Sequence, residues 1–551
     1  MSYLNYPRLT FSGTCIADPS TVNNTPENYG PDFDNPELLW NPNGTGNFKF
    51  TCTVTQVVYQ DGSIATTSAQ DPVIGMTFNT NDTPWPGKIV DLDPQQPMVS
   101  ELWGVRVALG AAGTPNSFQG NYAVAPFMNI WQVWQPGKGS SHYRAFYQSQ
   151  LQAVSWGNPN SRYLNELKSV TKGDALSIKF NLDSFQSDSS QEGFTTCRIV
   201  GVIGPVISSD EPILFPVARC LRPSSSSTLN YAYCIVDKEQ SMIALDMGNS
   251  IGIQGMWQAS INAGTLQLVA LSGGKQLVLG SVDYSFTSND LYNKTAYIQN
   301  FPLSAANLEI VQNSPLGIVN GSGNILLQEN QAGTYIRAEP YVFRMNAGET
   351  ATVQLVATQF GSPMANTTIN ILSFTDNFGP PVADPADPNK SNQFGVPTEA
   401  LPFPTSVTTN ANGVASFTMT ARDPGNPRYY LDGQLYGMSY YINDPNEEDP
   451  GNSGNFISAQ VYQDTQFSPP VTWTNGMQAI FNQYGVIYPI MGGAGSFINL
   501  KDYTSVYSNK DQIKAAFTAD INNPDHMPAT RDLSKSKMTA MVAWIDNDCP
   551  H

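Results

Sequence analysis

The sequence predicts a mainly β, multidomain protein: a β-rich N-terminal unit, an immunoglobulin-like β-sandwich and a small α-helical C-terminal region. Three observations predict it. Forty prolines and 44 glycines, with abundant Asn, Ser, Thr and Gln, call for many turns and so for many short strands. No long 3.6-residue apolar period appears in the first 335 residues. Clean alternation follows, and from about residue 472 the apolar spacing becomes helical. A chain of 551 residues has room for roughly two to four domains, each with its own core.

Residues 1–335 form the first unit. Its clearest element is a hairpin. Thr265 to Leu271 is an apolar, β-competent run, Ser272-Gly273-Gly274-Lys275 turns, and Gln276 to Leu279 returns. Ser241 to Met247 reads as another apolar strand, ending at Gly248-Asn249-Ser250. Cys197 to Val206 is rich in Val and Ile, then broken by glycine and proline.

Residues 336–468 read as the sandwich. Ala351, Val353, Leu355 and Ala357 alternate with Thr350, Thr352, Gln354 and Thr358. Ala415, Phe417, Met419 and Ala421 do the same after an Asn412-Gly413 turn. Such strands bury one face. Residues 469–551 read as a helical cap. Met477, Ile480, Phe481, Tyr484 and Tyr488 make one apolar stripe. Ile513, Ala516 and Phe517 make a shorter one, and Met538, Met541, Val542 and Ile545 mark a final helix. Asp532 stands where that helix's N-cap belongs. Lys535 and Lys537 oppose its dipole and ask for an acidic neighbour.

The net charge is −18, from 27 basic and 45 acidic residues, with no basic run. A nucleic-acid partner needs cations to replace phosphate counterions, so none is expected, nor is an anionic membrane. No stretch reaches the ~18 apolar residues of a spanning helix. The N-terminus shows no signal-peptide pattern, so a cytoplasmic protein is expected, with export only by a non-classical route. Six cysteines lie without a C-x-x-C pair, which excludes zinc fingers and thioredoxin-like motifs and gives no indication of disulfides. The acidic loops 384–389 and 443–449 lack EF-hand spacing, and no metal is assigned.

Read together, several segments resemble a known family. Tyr6-Pro7-Arg8-Leu9-Thr10-Phe11-Ser12-Gly13 resembles the start of the imine-dimer synthases of bisindole biosynthesis. These include iminophenylpyruvate dimer synthase of the violacein pathway and chromopyrrolate synthase of the rebeccamycin pathway. Ile199 to Gly204, Phe215 to Arg219, Leu221-Arg222-Pro223, Ala244 to Ser250, Tyr488 to Met491 and Met527 to Ser534 follow in the same order. The resemblance covers only the N-terminal, non-ferritin-like half of those enzymes. It implies oxidative coupling of aromatic amino-acid-derived imines, with haem a cofactor only if function follows resemblance. No E-x-x-H pair is present, so no di-iron bundle is expected.

Three residues are candidate site groups. His526 is a candidate catalytic base or haem ligand, because imidazole titrates near neutrality and binds metals. Arg531 is a candidate carboxylate clamp through its planar fork. His142 follows Trp131 and Trp134 and is a candidate lining group of an aromatic-substrate or cofactor pocket. Against these stand plainer roles: a turn histidine, an arginine bridging to a carbonyl or Asp532, and a loop histidine beside a β-core tryptophan. The expectation is a non-catalytic binding or self-assembling protein, a homo-oligomer or ordered assembly, with a small aromatic ligand. The alternative is an imine-coupling oxidoreductase or its subunit.

Overall fold

The computed structural model describes residues 3–19, 41, 43–80, 86–93, 96–110, 115, 117–134, 141–157, 160–208, 212–214, 218–378, 382–384, 387–428, 431–445, 456–493 and 496–551. The fold is mainly β, with several sheets and its larger helices near the C-terminus. Phe215 to Val217, and Pro385-Ala386 and Asn446 to Asp449 of the two acidic loops, lie outside the described residues.

The first sheet contains a closed antiparallel barrel. In order round the ring its strands are Arg8–Ala17, Thr196–Pro205, Leu176–Asp183, Ser141–Trp156, Phe118–Tyr122, Arg106–Gly110, Thr77–Asn79 and Asn47–Val58. The last pairs back onto Arg8–Ala17, so the ring has no free edge. Alternation supplies the filling. Phe48, Phe50, Cys52 and Val54 are buried while Lys49, Thr51 and Thr53 face out. Phe11 meets Phe78 at 4.6 Å and Phe48 meets Phe180 at 6.2 Å between ring centres. Gly201 permits this packing: a Cβ there would sit 2.4 Å from the Phe11 ring. Strands Gly87–Asp93, Gln96–Trp103 and Ala125–Trp134 form a flap that links Asn47–Val58 to Ser141–Trp156.

A disulfide joins Cys15 to Cys197, which are directly opposed in the barrel ladder. Sequence spacing gave no sign of it, because the two positions are 182 residues apart. A disulfide belongs to oxidising surroundings, which the cytoplasmic expectation does not provide.

The second sheet carries the expected hairpin, Leu266–Ser272 and Lys275–Val282, with Gly273 and Gly274 at positive φ. Met242–Asp246 is its apolar strand. Next comes a two-sheet sandwich. Thr350–Gln359 and Val414–Thr420 pair in one layer and bury Val353, Leu355, Ala415, Phe417 and Met419. Val342–Met345, Ile457–Val461, Gln434–Tyr441, Thr368–Ser373 and Ser406–Thr408 make the other. The cap contains helices Met477–Ile487, Tyr503–Ser508, Lys510–Thr518 and Lys535–Asp546 around a core of Trp473, Phe481 and Trp544. No helix among the described residues is long and apolar enough to cross a membrane.

Cys52, Cys220, Cys234 and Cys549 are buried and lie outside the disulfide. Thiol titration of the denatured, unreduced protein should therefore give four reactive thiols, and six after reduction. Replacing Cys15 and Cys197 by Ser should lower unfolding stability by about 2–4 kcal/mol. Six thiols before reduction would contradict the pairing.

Candidate functional site

The Asp525–Ser534 loop lies between the cap and the β body. Its residues divide between an internal polar seam and the wall of a cavity. Arg531 adopts a positive φ of 56° and is buried. Its Nε donates to the Ile521 carbonyl at 3.2 Å and its Nη2 to the Asn523 carbonyl at 2.9 Å, while Nη1 donates to the Ala529 carbonyl. The guanidinium also lies 5.3 Å from the Trp103 ring centre. Burial, and then the neighbouring Arg344 cation, pull its pKa down to about 10. Arg531 thus organises its own loop and holds it to the body.

His526 is half-buried, and its Nδ1 lies 3.0 Å from the Ala519 carbonyl. Burial lowers its pKa. His142 sits on strand Ser141–Trp156 opposite Val133; its side chain is outside the described residues. His526 and Arg531 share one loop, and His142 belongs to a different element.

Asp532 is not the N-cap of the last helix. Ser534 takes that place, its Oγ accepting from the Lys537 backbone N–H, because the helix begins at Lys535. Asp432 supplies the acidic neighbour that the basic first turn requires. Its Oδ2 accepts from the Ser534 N–H at 2.8 Å and lies 3.6 Å from Lys537 Nζ. Asp532 is buried in the seam instead. Its Oδ1 accepts from the Tyr488 hydroxyl at 3.1 Å, and its backbone carbonyl accepts from the Tyr484 hydroxyl at 3.0 Å.

The other faces of those two tyrosines line a cavity of about 620 Å³ between the cap and the barrel's outer wall. Phe481, Ile513, Phe517 and Met541 make its cap side. Thr45, Asn47 and Lys49 make its barrel side with Lys88 of the flap beside them, and Asp525, Met527 and Ala529 close it. The helical stripe read from the sequence supplies the apolar wall. Lys88 was missed; its only signal was a lysine inside the strand Gly-Lys-Ile-Val-Asp-Leu-Asp. A larger polar cleft of about 800 Å³ lies between Gly104–Arg106 and Asp520–Asp525. Its Arg106, Asn121, Gln152, Asn522 and Asn523 are exposed to water.

Haem does not fit this set of groups. Haem iron takes a proximal His, Cys or Tyr, or a Met/His pair. Among the described residues no His or Cys lines the cavity, and the Tyr484 and Tyr488 hydroxyls are engaged by Asp532.

Burial raises the Asp532 carboxyl to about 6, with Asp432 adding to the shift. An unfolded Asp titrates near 3.9, so the folded state holds this proton more tightly. The resulting stability is fully present below about pH 4 and is lost as pH rises through about 6. Asp532→Asn keeps an acceptor for Tyr488 and removes the titration. It should flatten the fall in thermal midpoint between about pH 4 and pH 7 and leave the variant at least as stable near pH 7, a difference on the order of 2–3 kcal/mol. Identical pH profiles in the two proteins would remove Asp532 as the source.

No family model matches the chain, and no curated protein matches it. Among solved structures, the chain is similar to native E. coli alpha-2-macroglobulin at 10% identity and a TM-score of 0.18, covering 85% of this chain and 32% of that one. A Salmonella alpha-2-macroglobulin mutant aligns at 9% identity and a TM-score of 0.18, covering 84% of this chain and 31% of its own. The methylamine-reacted Salmonella protein aligns at 9% identity and a TM-score of 0.18, covering 83% and 31%. This chain therefore spans about a third of the length of these neighbours, and a likeness so slight bears on no functional conclusion.

Proposed function

We propose that this chain is a non-catalytic binding protein whose ligand is a small, apolar, aromatic molecule seated between the helical cap and the barrel. The observation that carries the proposal is the cavity itself. Its volume, about 620 Å³, falls in the range that encloses small organic ligands, roughly 300–1,000 Å³. Its walls are mostly aromatic and aliphatic, with few polar groups. Ring faces such as Phe481, Tyr484 and Phe517 favour an aromatic guest through stacked or edge-to-face contact.

The non-catalytic part of the proposal rests on where the ionisable groups of the loop are engaged. Arg531 is bound by carbonyls of neighbouring loop residues, and Asp532 by a tyrosine hydroxyl. Nδ1 of His526 is bound to a backbone carbonyl. The resemblance to imine-dimer synthases enters only as a guide to ligand class: an aromatic compound of the kind made from aromatic amino acids.

Calorimetric titration with 2-naphthylmethanol tests the proposal. One saturable site per chain is expected. Ala516→Trp places an indole into the cavity from helix Lys510–Thr518 and should weaken binding at least about tenfold, ~1.4 kcal/mol. Equal affinity in that variant, or no binding to the parent chain, would refute the cavity as the site. Formation of a coupled product from indolic imines would replace binding with turnover.

A further inference from the structure

Lys88 differs from the other buried lysines. Three lysines are buried among the described residues: Lys88, Lys179 and Lys537. Lys179 Nζ lies 2.9 Å from Asp246, and Lys537 Nζ lies 3.6 Å from Asp432. Lys88 Nζ instead donates to the Thr45 carbonyl at 3.1 Å and to Asn47 Oδ1 at 2.8 Å, both neutral acceptors. Among the described residues no carboxylate lies within ion-pair distance of it.

The charged groups around it confirm the imbalance. Asp18 is committed to the adjacent turn: its Oδ1 accepts from Asn41 Nδ2 at 2.8 Å, and its Oδ2 from the Thr45 N–H and hydroxyl at 2.9 and 2.6 Å. Asp525 on the facing loop is exposed to water. Lys49 on the next strand and Arg531 behind the loop are cations. Burial, and then the Arg531 charge, draw the Lys88 ammonium down to about 8, against the weaker pull of Asp525 and Asp18. At neutral pH its free-amine fraction then exceeds that of a surface lysine by on the order of a hundredfold. A desolvated lysine beside a second cation is a setting in which lysine becomes a nucleophile.

We propose that Lys88 is a covalent capture site: its Nζ condenses with apolar aldehydes that enter the cavity and holds them as imines. This rests on the binding reading above and adds the ligand's reactive group. The Nζ lone pair forms a bond to the carbonyl carbon. A proton passes from nitrogen to the former carbonyl oxygen, and the carbinolamine expels water as the C=N bond forms. No oxidant or reductant is needed. The apolar walls that seat the aldehyde also keep bulk water from reversing the last step.

The test is reductive trapping on the full chain near neutral pH, with 2-naphthaldehyde as probe and sodium cyanoborohydride as hydride donor, read by intact mass and peptide mapping. The expected result is one adduct per chain, on Lys88, formed at least about tenfold faster than on exposed lysines, with a rate that rises as pH passes about 8. Lys88→Arg keeps a cation and donors at this position and should abolish the adduct. Adducts scattered over surface lysines of the parent chain without preference for Lys88 would overturn the proposal, even if Lys88→Arg failed to fold. Binding of the alcohol without labelling of Lys88 would refute capture and leave the binding reading standing. Failure of both would refute both.

Discussion

The three structural units meet at one side chain, Trp103. Arg344 of the sandwich lies 5.2 Å from its ring centre, and Arg531 of the cap lies 5.3 Å from it. Two guanidinium groups against one indole would repel each other without a counter-charge. Glu101, two residues earlier on the same strand, provides it by pairing with Arg344 and accepting from Trp103 Nε1 at 3.3 Å. Tyr462 then ties the sandwich to the Arg531 carbonyl. Desolvated charges of this kind add little net stability, but losing one partner leaves the other stranded at a cost of about 3–5 kcal/mol. The junction therefore fixes how the units sit more than it strengthens them. Other seams use the same device. Arg428 grips Asp93 through two bonds of 2.6 and 3.1 Å, joining sandwich to flap. Lys179 and Asp246 join the barrel to the second sheet.

How much of this was legible in the sequence depends on how local each cause is. The Leu266–Val282 hairpin was legible because two glycines and flanking apolar residues determine a turn by themselves. The alternation at 350–358 and 414–421 was legible because a strand with one wet face repeats every second residue. Barrel closure was not, because pairing Arg8–Ala17 with Thr196–Pro205 is decided by the whole ring. The Cys15–Cys197 bond follows from that register and was hidden with it.

The candidate site shows the same division. The cap's apolar stripe was visible, and it lines the cavity. The position of the helix start was misread by two residues, because Asp and Ser are both good caps and only the fold buries one of them. Lys88 gave almost no signal, since a lysine in a strand usually reaches water. Its environment is made by Thr45, Asn47 and the cap together.

An apolar cavity at a seam should collapse unless something holds its walls apart, since empty space forfeits dispersion contacts. Tyr484 and Tyr488 provide that restraint here. Their rings stack nearly parallel, 7° apart, and face the cavity. Their hydroxyls are drawn the other way, to the carbonyl and carboxyl of Asp532. A buried hydroxyl that let go of its acceptor would cost about 1–3 kcal/mol, so the rings cannot swing inward freely. A phenylalanine at either position would carry no such tether. The polar seam and the apolar cavity are thus two sides of one arrangement: the buried carboxylate that weakens the fold as it ionises also pins the rings that keep the ligand space open.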